Sequence, residues 1–217
     1  MSARANLRLV DTDAPPRING TVQNPPRKLP NKDRRPREYL TETEVKAIAK
    51  AAGKRGRHSH RDKTMIMLCF RHGLRVQELV DLKWEQVNLD EALLTVHRVK
   101  NGRDATHPIP GDELRDLRRL KRASDEGKFA GNPFVFITEL GGPMTVNAFG
   151  RMLTRTAEKM VFPFPVHPHM LRHAAGYKLV NERQPIRAIQ LYLGHRRIES
   201  TEIYTELAPG QFNSFFR

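Results

Sequence analysis

The sequence of 217 residues is long enough for one domain of ordinary size with a short appendage. Its 38 Lys and Arg residues against 24 Asp and Glu residues give a formal net charge of +14, which favours a polyanionic partner, with nucleic acid ahead of an anionic membrane. The sequence excludes an internal disulfide, since Cys69 is the single cysteine, and it contains neither a secretory signal nor an apolar run of the roughly 20 residues that a membrane-spanning helix needs.

Residues 1–38 differ in composition from the rest of the chain. They hold six of the fifteen prolines, and nine basic residues against four acidic ones. We therefore predict a basic, proline-rich arm that is disordered or extended, followed by a folded domain over residues 39–217. Such an arm either contacts phosphates without reading the base sequence or is a solvated tail.

Helical patterns dominate the first part of the folded domain. Thr41-Glu-Thr-Glu44 fits a capping box, which predicts a helix from there to Gly53. After a basic connector at 54–61, a buried helix is predicted over about 62–72, and another begins close to Arg75.

The pattern then changes to one typical of strands. Residues 93–100 and 103–109 predict a hairpin around Asn101-Gly102, which is a strong turn signal, and residues 84–89 are a candidate third strand. A short apolar run at 134–137 also resembles a strand.

Helical signals return in the C-terminal half. The predicted helices cover residues 112–123, 146–160, 169–181, 185–193 and 198–207. The fold class is therefore α+β, mostly helical with a small antiparallel β-sheet.

Six residues in short local patterns can carry chemistry. Arginine and lysine suit the binding of a phosphate, and one helix face holds a histidine and an arginine three residues apart. In chain order the six are Arg75, Lys100, His169, Arg172, His195 and Tyr204. Taken singly, each also has an ordinary structural explanation, such as an ion pair between Arg75 and Glu78, a solvated lysine or a core tyrosine.

In this order and spacing, the six residues resemble the active site of the tyrosine recombinase (phage integrase) family. The resemblance covers about residues 39–217 and includes the nine-residue step from Leu193-Gly-His195 to Tyr204. It implies the family's mostly helical catalytic domain with a small antiparallel sheet. It also implies site-specific DNA recombination through a 3′-phosphotyrosyl intermediate.

The resemblance gives each residue a role. Tyr204 would attack the scissile phosphate, and Arg75 and Arg172 would bind its non-bridging oxygens. Lys100 would protonate the leaving 5′-oxygen. His169 would assist proton transfer at Tyr204.

The remaining roles are supporting ones. His195 would hydrogen-bond the phosphate, Glu78 would support the first arginine, and His173 would be structural. Since cationic side chains supply the positive charge that other phosphoryl-transfer sites take from metals, we expect neither a metal nor another cofactor and no use of ATP.

The chain departs from most of the family in its length. Most members carry a helical core-binding domain ahead of the catalytic domain, and here we expect only the arm of 38 residues. This short format and Val99-Lys100-Asn101-Gly102 resemble the fimbrial phase-variation invertases, which places DNA inversion narrowly ahead of integration or excision.

The expected partner is double-stranded DNA with specific recombination sites. On DNA we expect a homotetramer, with the tail at about 208–217 docking on a neighbouring protomer, and accessory DNA-bending proteins are left open. We expect no membrane partner and a cytoplasmic, nucleoid-associated location. The candidate DNA contacts are Lys54, Arg55, Arg57, Arg61, Arg118 and Arg122.

Two alternatives stay open at this point. A type IB topoisomerase would use similar chemistry to relax supercoils without a specific site. A DNA-binding regulator that kept the fold without catalysis belongs to a different class of protein. Within the recombinase hypothesis, Tyr192 is a rival nucleophile because it precedes Leu193-Gly-His195 directly.

Overall fold

The computed structural model describes residues 37–54, 56–99 and 102–206. Nearly all of the predicted arm lies outside the described residues, as do Arg55, Lys100 and the tail at 208–217. The division into an arm over 1–38 and a catalytic domain over 39–217 therefore stays a prediction.

The first three helices follow their sequence signals. Helix α1 (Glu42–Ala52) begins at a capping box, in which the Thr41 hydroxyl accepts from the Glu44 amide at 3.3 Å and the Glu44 carboxylate accepts from the Thr41 amide at 2.7 Å. Helix α2 (Ser59–Arg71) starts three residues earlier than predicted. The short helix α3 (Val76–Val80) follows the turn that ends α2.

The predicted small antiparallel sheet is confirmed. It consists of β1 (Val87–Asn88), β2 (Leu93–Val96) and β3 (Ala105–Pro108), which lie in that order. A single 3₁₀ turn over Trp84–Gln86 replaces the first half of the candidate strand at 84–89.

The hairpin between β2 and β3 is wider than predicted. Val96 pairs with Ala105, so the connection runs over residues 97–104 and Asn101-Gly102 is not a two-residue turn between the strands. The ladder ends here because Asp104 binds the other side of the loop. Its carboxylate accepts from the Arg98 amide at 2.8 Å and lies 2.7 Å from Nδ1 of His97.

Five further helices complete the domain and confirm the predicted ones to within a few residues. They are α4 (Gly111–Asp125), α5 (Val146–Glu158), α6 (His169–Asn181), α7 (Ile186–Leu193) and α8 (Glu199–Glu206). None of the helices within the described ranges is long and apolar enough to cross a membrane.

The strand expected at 134–137 is wrong. This segment forms isolated bridges only, between Lys83 and Phe134 and between Ile137 and Pro143. Its backbone instead binds the segment that follows α3, since the Val135 amide donates to the Leu82 carbonyl at 2.9 Å. The apolar side chains that suggested a strand are explained by burial in the core.

Helix α2 lies at the centre of the domain, in contact with α1, α4 and α6. Its apolar side chains are almost fully buried, as are those that face it from α6. Helix α6 also packs against α7 and α8, so the core fixes the three C-terminal helices around one another. These helices carry three of the six residues singled out from the sequence, and His195 lies in the turn between α7 and α8.

Candidate active site

Arg75 stands at the start of α3, directly after the turn at Gly73. Its guanidinium donates to Oε1 of Glu78 at 2.8 Å, and its backbone amide donates to Oε2 of the same carboxylate at 2.9 Å. The Glu78 side chain is only 1% exposed, whereas that of Arg75 is 26% exposed. The buried carboxylate therefore fixes the position of Arg75 and leaves part of the guanidinium accessible to solvent.

The same carboxylate accepts two more donors from the loop after β2. Arg98 donates to Oε2 at 2.8 Å, and the Val99 amide donates to Oε1 at 3.2 Å. Burial alone would raise the pKa of Glu78, but the positive charge of Arg98 and the hydrogen bonds from Arg75 hold that pKa below its usual value. Glu78 is therefore charged at neutral pH.

Arg172 lies on α6 and is buried, with 2% of its surface exposed. Its guanidinium donates to the Gly73 carbonyl at 2.5 Å and to the Leu193 carbonyl at 2.7 Å. Burial and the nearby charges of Arg75 and Arg98 lower the pKa of Arg172 to about 10, so it stays charged at neutral pH. It joins the turn after α2 to the end of α7.

His195 follows α7, which ends at Gly194 in the left-handed conformation at φ 67°. Nδ1 of His195 lies 2.8 Å from the Thr201 hydroxyl of α8. Burial and the charges of Arg172 and Arg75 lower the pKa of His195 to about 4, so the imidazole is neutral at neutral pH.

A polar cavity of about 490 Å³ lies between Arg75 and His195. It lies between the start of α3, the loop after β2 and the turn from α7 to α8. Its lining residues are Arg75, Gly102, Gly194, His195, Arg196, Arg197 and Ser200. With three arginines and no carboxylate in the lining, the cavity suits an anion such as a phosphate.

Tyr204 lies on α8 with its ring packed against α6, and it is 2% exposed. Its hydroxyl is 3.2 Å from Nδ1 of His173, and its ring faces that of His195 at a centroid distance of 6.3 Å. Burial raises the pKa of Tyr204, against the opposing effect of Arg172 and Arg75, so the phenol is protonated at neutral pH.

The histidine that contacts the Tyr204 hydroxyl is His173, to which the sequence assigned a structural role. His169 lies one turn earlier, and its ring meets that of His173 edge to face, with centroids 4.4 Å apart. Burial, with the nearby His169 and Arg172, lowers the pKa of His173 to about 4. Since both histidines share one helix face, the spacing indicated the face but not which ring reaches the tyrosine.

Tyr192 lies in a different environment. Its hydroxyl donates to the Arg71 carbonyl at 2.9 Å, and its ring stacks on that of His107 with centroids 3.9 Å apart. Burial and the nearby Glu113 raise the pKa of Tyr192 to about 12. Of the two candidate nucleophiles, Tyr204 is the one packed beside the histidines of the site.

Sequence reasoning missed two features. Arg98, next to the site, is buried against Glu78. A second cavity lies along the exposed face of α5, where Asn147, Arg151 and Arg155 line it together with Pro168, the residue before His169. The sequence showed two arginines four residues apart on α5. It could not show that they lie close to the start of α6.

The candidate DNA contacts within the described residues do not line the polar cavity. Arg61 pairs with Asp62 and donates to the Ile137 carbonyl, and Arg57 pairs with Glu139. Arg118 donates to the Leu89 carbonyl at 2.8 Å. The side chains of Lys54, Arg118 and Arg122 are exposed, so the predicted phosphate contacts on α4 compete with the arginines that line the cavity on α5.

Residues 37–206, outside the gaps at 55 and 100–101, contain no group of three or more His, Cys, Asp or Glu side chains placed to hold a metal ion.

Comparisons with known proteins agree with this arrangement. The sequence model of the phage integrase family matches residues 38–211. The chain is 33% identical over 180 residues to the type 1 fimbriae regulatory protein FimB of Escherichia coli strain K12, covering 83% of this chain and 90% of that protein. It is 36% identical over 203 residues to the tyrosine recombinase XerD of Ralstonia nicotianae, covering 92% of this chain and 63% of that protein.

A solved structure gives the same result for the fold. The crystal structure of XerA recombinase superimposes with a TM-score of 0.71 at 25% sequence identity, over 82% of this chain and 63% of that longer chain. The resemblance to fimbrial relatives and to tyrosine recombinases that the sequence predicted is therefore confirmed.

Proposed function

The chain belongs to the phage integrase family, and on that premise we propose that it is a tyrosine recombinase that cuts and rejoins duplex DNA at specific sites through Tyr204. The observation that carries the proposal is the contact of the Tyr204 hydroxyl with His173 beside the buried Arg172 and the cavity lined by Arg75 and His195. A nucleophile, a proton acceptor and phosphate-binding cations are thus close together.

Strand cleavage would proceed as a transesterification. The Tyr204 oxygen attacks phosphorus while the bond to the 5′-oxygen breaks, which leaves a 3′-phosphotyrosyl link. Attack by a 5′-hydroxyl then reverses the step on a new strand, so the phosphodiester energy is conserved and no ATP is consumed.

The geometry supports His173 as the group that receives the phenol proton. It lies 3.2 Å from the hydroxyl, and with its pKa lowered to about 4 by burial and the nearby His169, it is neutral and able to accept a proton at neutral pH. His169, next to it on α6, supports the orientation of the His173 ring. Lys100 is proposed to protonate the leaving 5′-oxygen.

The cations stabilise the transition state. The guanidinium groups of Arg75 and Arg172 are proposed to bind the non-bridging oxygens. Thr201 can donate its hydroxyl proton to Nδ1 of His195, which leaves the ring proton on Nε2 for a phosphate oxygen. No step in this scheme is assigned to a metal.

The duplex must also extend beyond the scissile phosphate. We place part of it along the exposed face of α5, because Arg151 and Arg155 line a cavity with Pro168 at the start of the helix that carries His169 and Arg172. Helix α4, which carries Arg118 and Arg122, packs instead against α2.

Covalent trapping tests the proposal. On a suicide substrate made from the element's own flanking DNA, the wild type and Tyr192→Phe are expected to form a protein–DNA adduct that Tyr204→Phe does not form. Tyr192→Phe is the matched control because it removes the same hydroxyl from a neighbouring helix. An adduct in Tyr204→Phe would refute the nucleophile assignment.

The same assay separates the alternatives. If no variant and no wild-type protein forms an adduct while DNA binding persists, the non-catalytic regulator is the better account. Relaxation of supercoiled plasmids that lack a specific site would favour the topoisomerase.

DNA inversion, tetramer formation on DNA, tail docking and a cytoplasmic, nucleoid-associated location stay predictions. Similarity to FimB supports the fimbrial type of recombinase. Deleting residues 210–217 should abolish synaptic assembly on paired sites if the tail docks on a neighbouring protomer, and unchanged assembly would contradict that docking.

A further inference from the structure

Arg98 lies in the loop between β2 and β3, two residues before Lys100. Its side chain is 0% exposed, which is rare for an arginine. Because a guanidinium loses its hydration on burial, it needs acceptors on several sides. Burial lowers the pKa of Arg98, although the charge of Glu78 opposes the effect.

The acceptors come from three other parts of the site, which are the turn after α2, helix α3 and the end of α7. One guanidinium nitrogen donates to Oε2 of Glu78 at 2.8 Å and to the Gly73 carbonyl at 3.3 Å. The other donates to the His72 carbonyl at 3.2 Å and to the Tyr192 carbonyl. Arg98 therefore ties its loop to the turn between α2 and α3 and to the end of α7.

The acceptor groups are those that place the catalytic arginines. Glu78 also holds Arg75, and the Gly73 carbonyl also accepts from Arg172. The Val99 amide adds a second link from the loop to Glu78. The position of the loop is thus fixed relative to both arginines.

The aliphatic part of Arg98 fixes the loop from its other side. A Cβ added at Gly102 would lie 2.6 Å from Cβ of Arg98, and one added at Gly194 would lie 2.7 Å from its Cγ. These close approaches require glycine at both positions. Gly102 follows Lys100 by two residues, and Gly194 precedes His195, so Arg98 packs between the loop and the cavity.

We propose that Arg98 is a positioning residue that holds Val99 and Gly102, on either side of Lys100, beside the phosphate cavity and so supports the general-acid role proposed for Lys100. This inference rests on the proposed function and on the role of Lys100 within it. Arg98 itself touches no reacting atom. Removal of one member of a buried ion pair is destabilising, so the test must distinguish positioning of the loop from a contribution to stability.

The test compares two leaving groups. Variants Arg98→Lys, Arg98→Met and Gly102→Ala are assayed by the single-turnover rate of adduct formation on suicide substrates with the ordinary 5′-oxygen or a bridging 5′-sulfur. A thiolate leaves without protonation because thiols are far more acidic than alcohols. Arg103→Met is the matched control, since Arg103 is an exposed arginine of the same loop.

On the oxygen substrate the three variants should be slower than wild type by roughly 10²-fold, the lower range for loss of general acid catalysis. On the sulfur substrate the rates of the three variants, and that of Lys100→Ala, should be within about 3-fold of the wild-type rate. The sulfur leaving group does not need protonation, so loss of the general acid has little effect there. Arg103→Met should match wild type on both. The melting temperature and DNA affinity of each variant identify any variant that fails to fold. Gly102→Ala is a second kind of variant, because it changes the packing against Arg98 but keeps the ion pair of Arg98 and Glu78.

Two results would overturn the inference: wild-type rates in the Arg98 variants on both substrates, or an equal loss on both, which would mean that Arg98 acts through Arg75 or the fold. Failure of the proposed function looks different. In that case the wild type forms no adduct on either substrate, or the sulfur substrate fails to rescue Lys100→Ala.

Discussion

Glu78 is the residue on which the cations of the site converge. Its carboxylate, 1% exposed, receives hydrogen bonds from Arg75, Arg98 and the Val99 amide. Removing a buried acceptor from two guanidinium groups leaves buried charge without compensation, which is among the most destabilising single changes. A stable, charged Glu78 is therefore a condition for placing Arg75 at all.

His107 provides a residue-scale prediction about pH. It is 1% exposed, between the rings of His72 and Tyr192, and burial together with the charges of His72 and Arg98 lowers the pKa of His107 to about 3. In the unfolded chain a histidine has its ordinary pKa of about 6.5. Between these values only the unfolded chain binds the proton, so stability is lost as the pH falls below about 6.5.

At pH 5 this loss amounts to about 2 kcal/mol. We expect the free energy of unfolding, measured in urea at pH 7 and pH 5, to fall by about 2 kcal/mol more in the wild type than in His107→Gln, which cannot titrate. Equal pH dependence of His107→Gln and wild type would contradict the prediction.

Arg75, Arg172, His195 and Tyr204 predicted a phosphate site through their resemblance, in order and spacing, to the active site of the tyrosine recombinase family. That resemblance could not identify His173 as the contact of Tyr204. That contact joins residues 31 positions apart and depends on how α8 packs against α6. The same holds for Arg98, whose partners lie in three separate segments.

At the scale of the elements, the capping box at Thr41 and the helical periodicity located the helices well. The Asn101-Gly102 dipeptide predicted a two-residue connection between β2 and β3, but the paired strands end earlier, at Val96 and Ala105. The dipeptide reports only local backbone preference, whereas the end of the ladder is set by burial of Arg98 and by the hydrogen bond from the Arg98 amide to Asp104. Tertiary contacts therefore decided the one connection that matters most for the site.

Two glycines inside helices give an element-scale prediction. A Cβ at Gly176 of α6 would lie 2.5 to 2.7 Å from three ring atoms of Tyr204, whereas one at Gly150 of α5 would lie 3.8 Å from Cγ of Pro168. Gly150→Ala should therefore stabilise the protein by about 0.5–1 kcal/mol through helix propensity. Gly176→Ala should destabilise it by about 1–3 kcal/mol, because overpacking outweighs the gain in propensity.

Urea unfolding of both variants checks this, with adduct formation as a second measurement. Gly176→Ala should also slow cleavage, since α8 cannot keep its position on α6. Equal stabilisation by both substitutions would mean that the Tyr204 ring does not pack on Gly176.

At the scale of the whole molecule, the net charge of +14 makes DNA binding strongly dependent on salt. Two arginine pairs with the same i, i+4 spacing compete as contacts: Arg151 and Arg155 on α5, and Arg118 and Arg122 on α4. We expect the double alanine variant of the α5 pair to reduce the slope of log affinity against log salt by about 2, near 0.9 per lost phosphate contact.

Titration of DNA binding at several salt concentrations measures the slope. The α4 double variant is the matched control and should keep a slope close to that of the wild type. A reduced slope for the α4 pair alone would instead place the duplex on the surface that the sequence first indicated.

The burial of Tyr204 has a consequence for DNA that the protein binds outside its target sites. Tyr204 is 2% exposed because its ring packs against α6. A duplex bound to the protein surface therefore contacts arginines but not the nucleophile. A strongly basic protein visits many DNA segments that are not its target, and each visit by an active nucleophile would risk a stray nick. We therefore expect binding to non-target DNA to leave the strands intact, because the buried Tyr204 hydroxyl is not accessible from the protein surface.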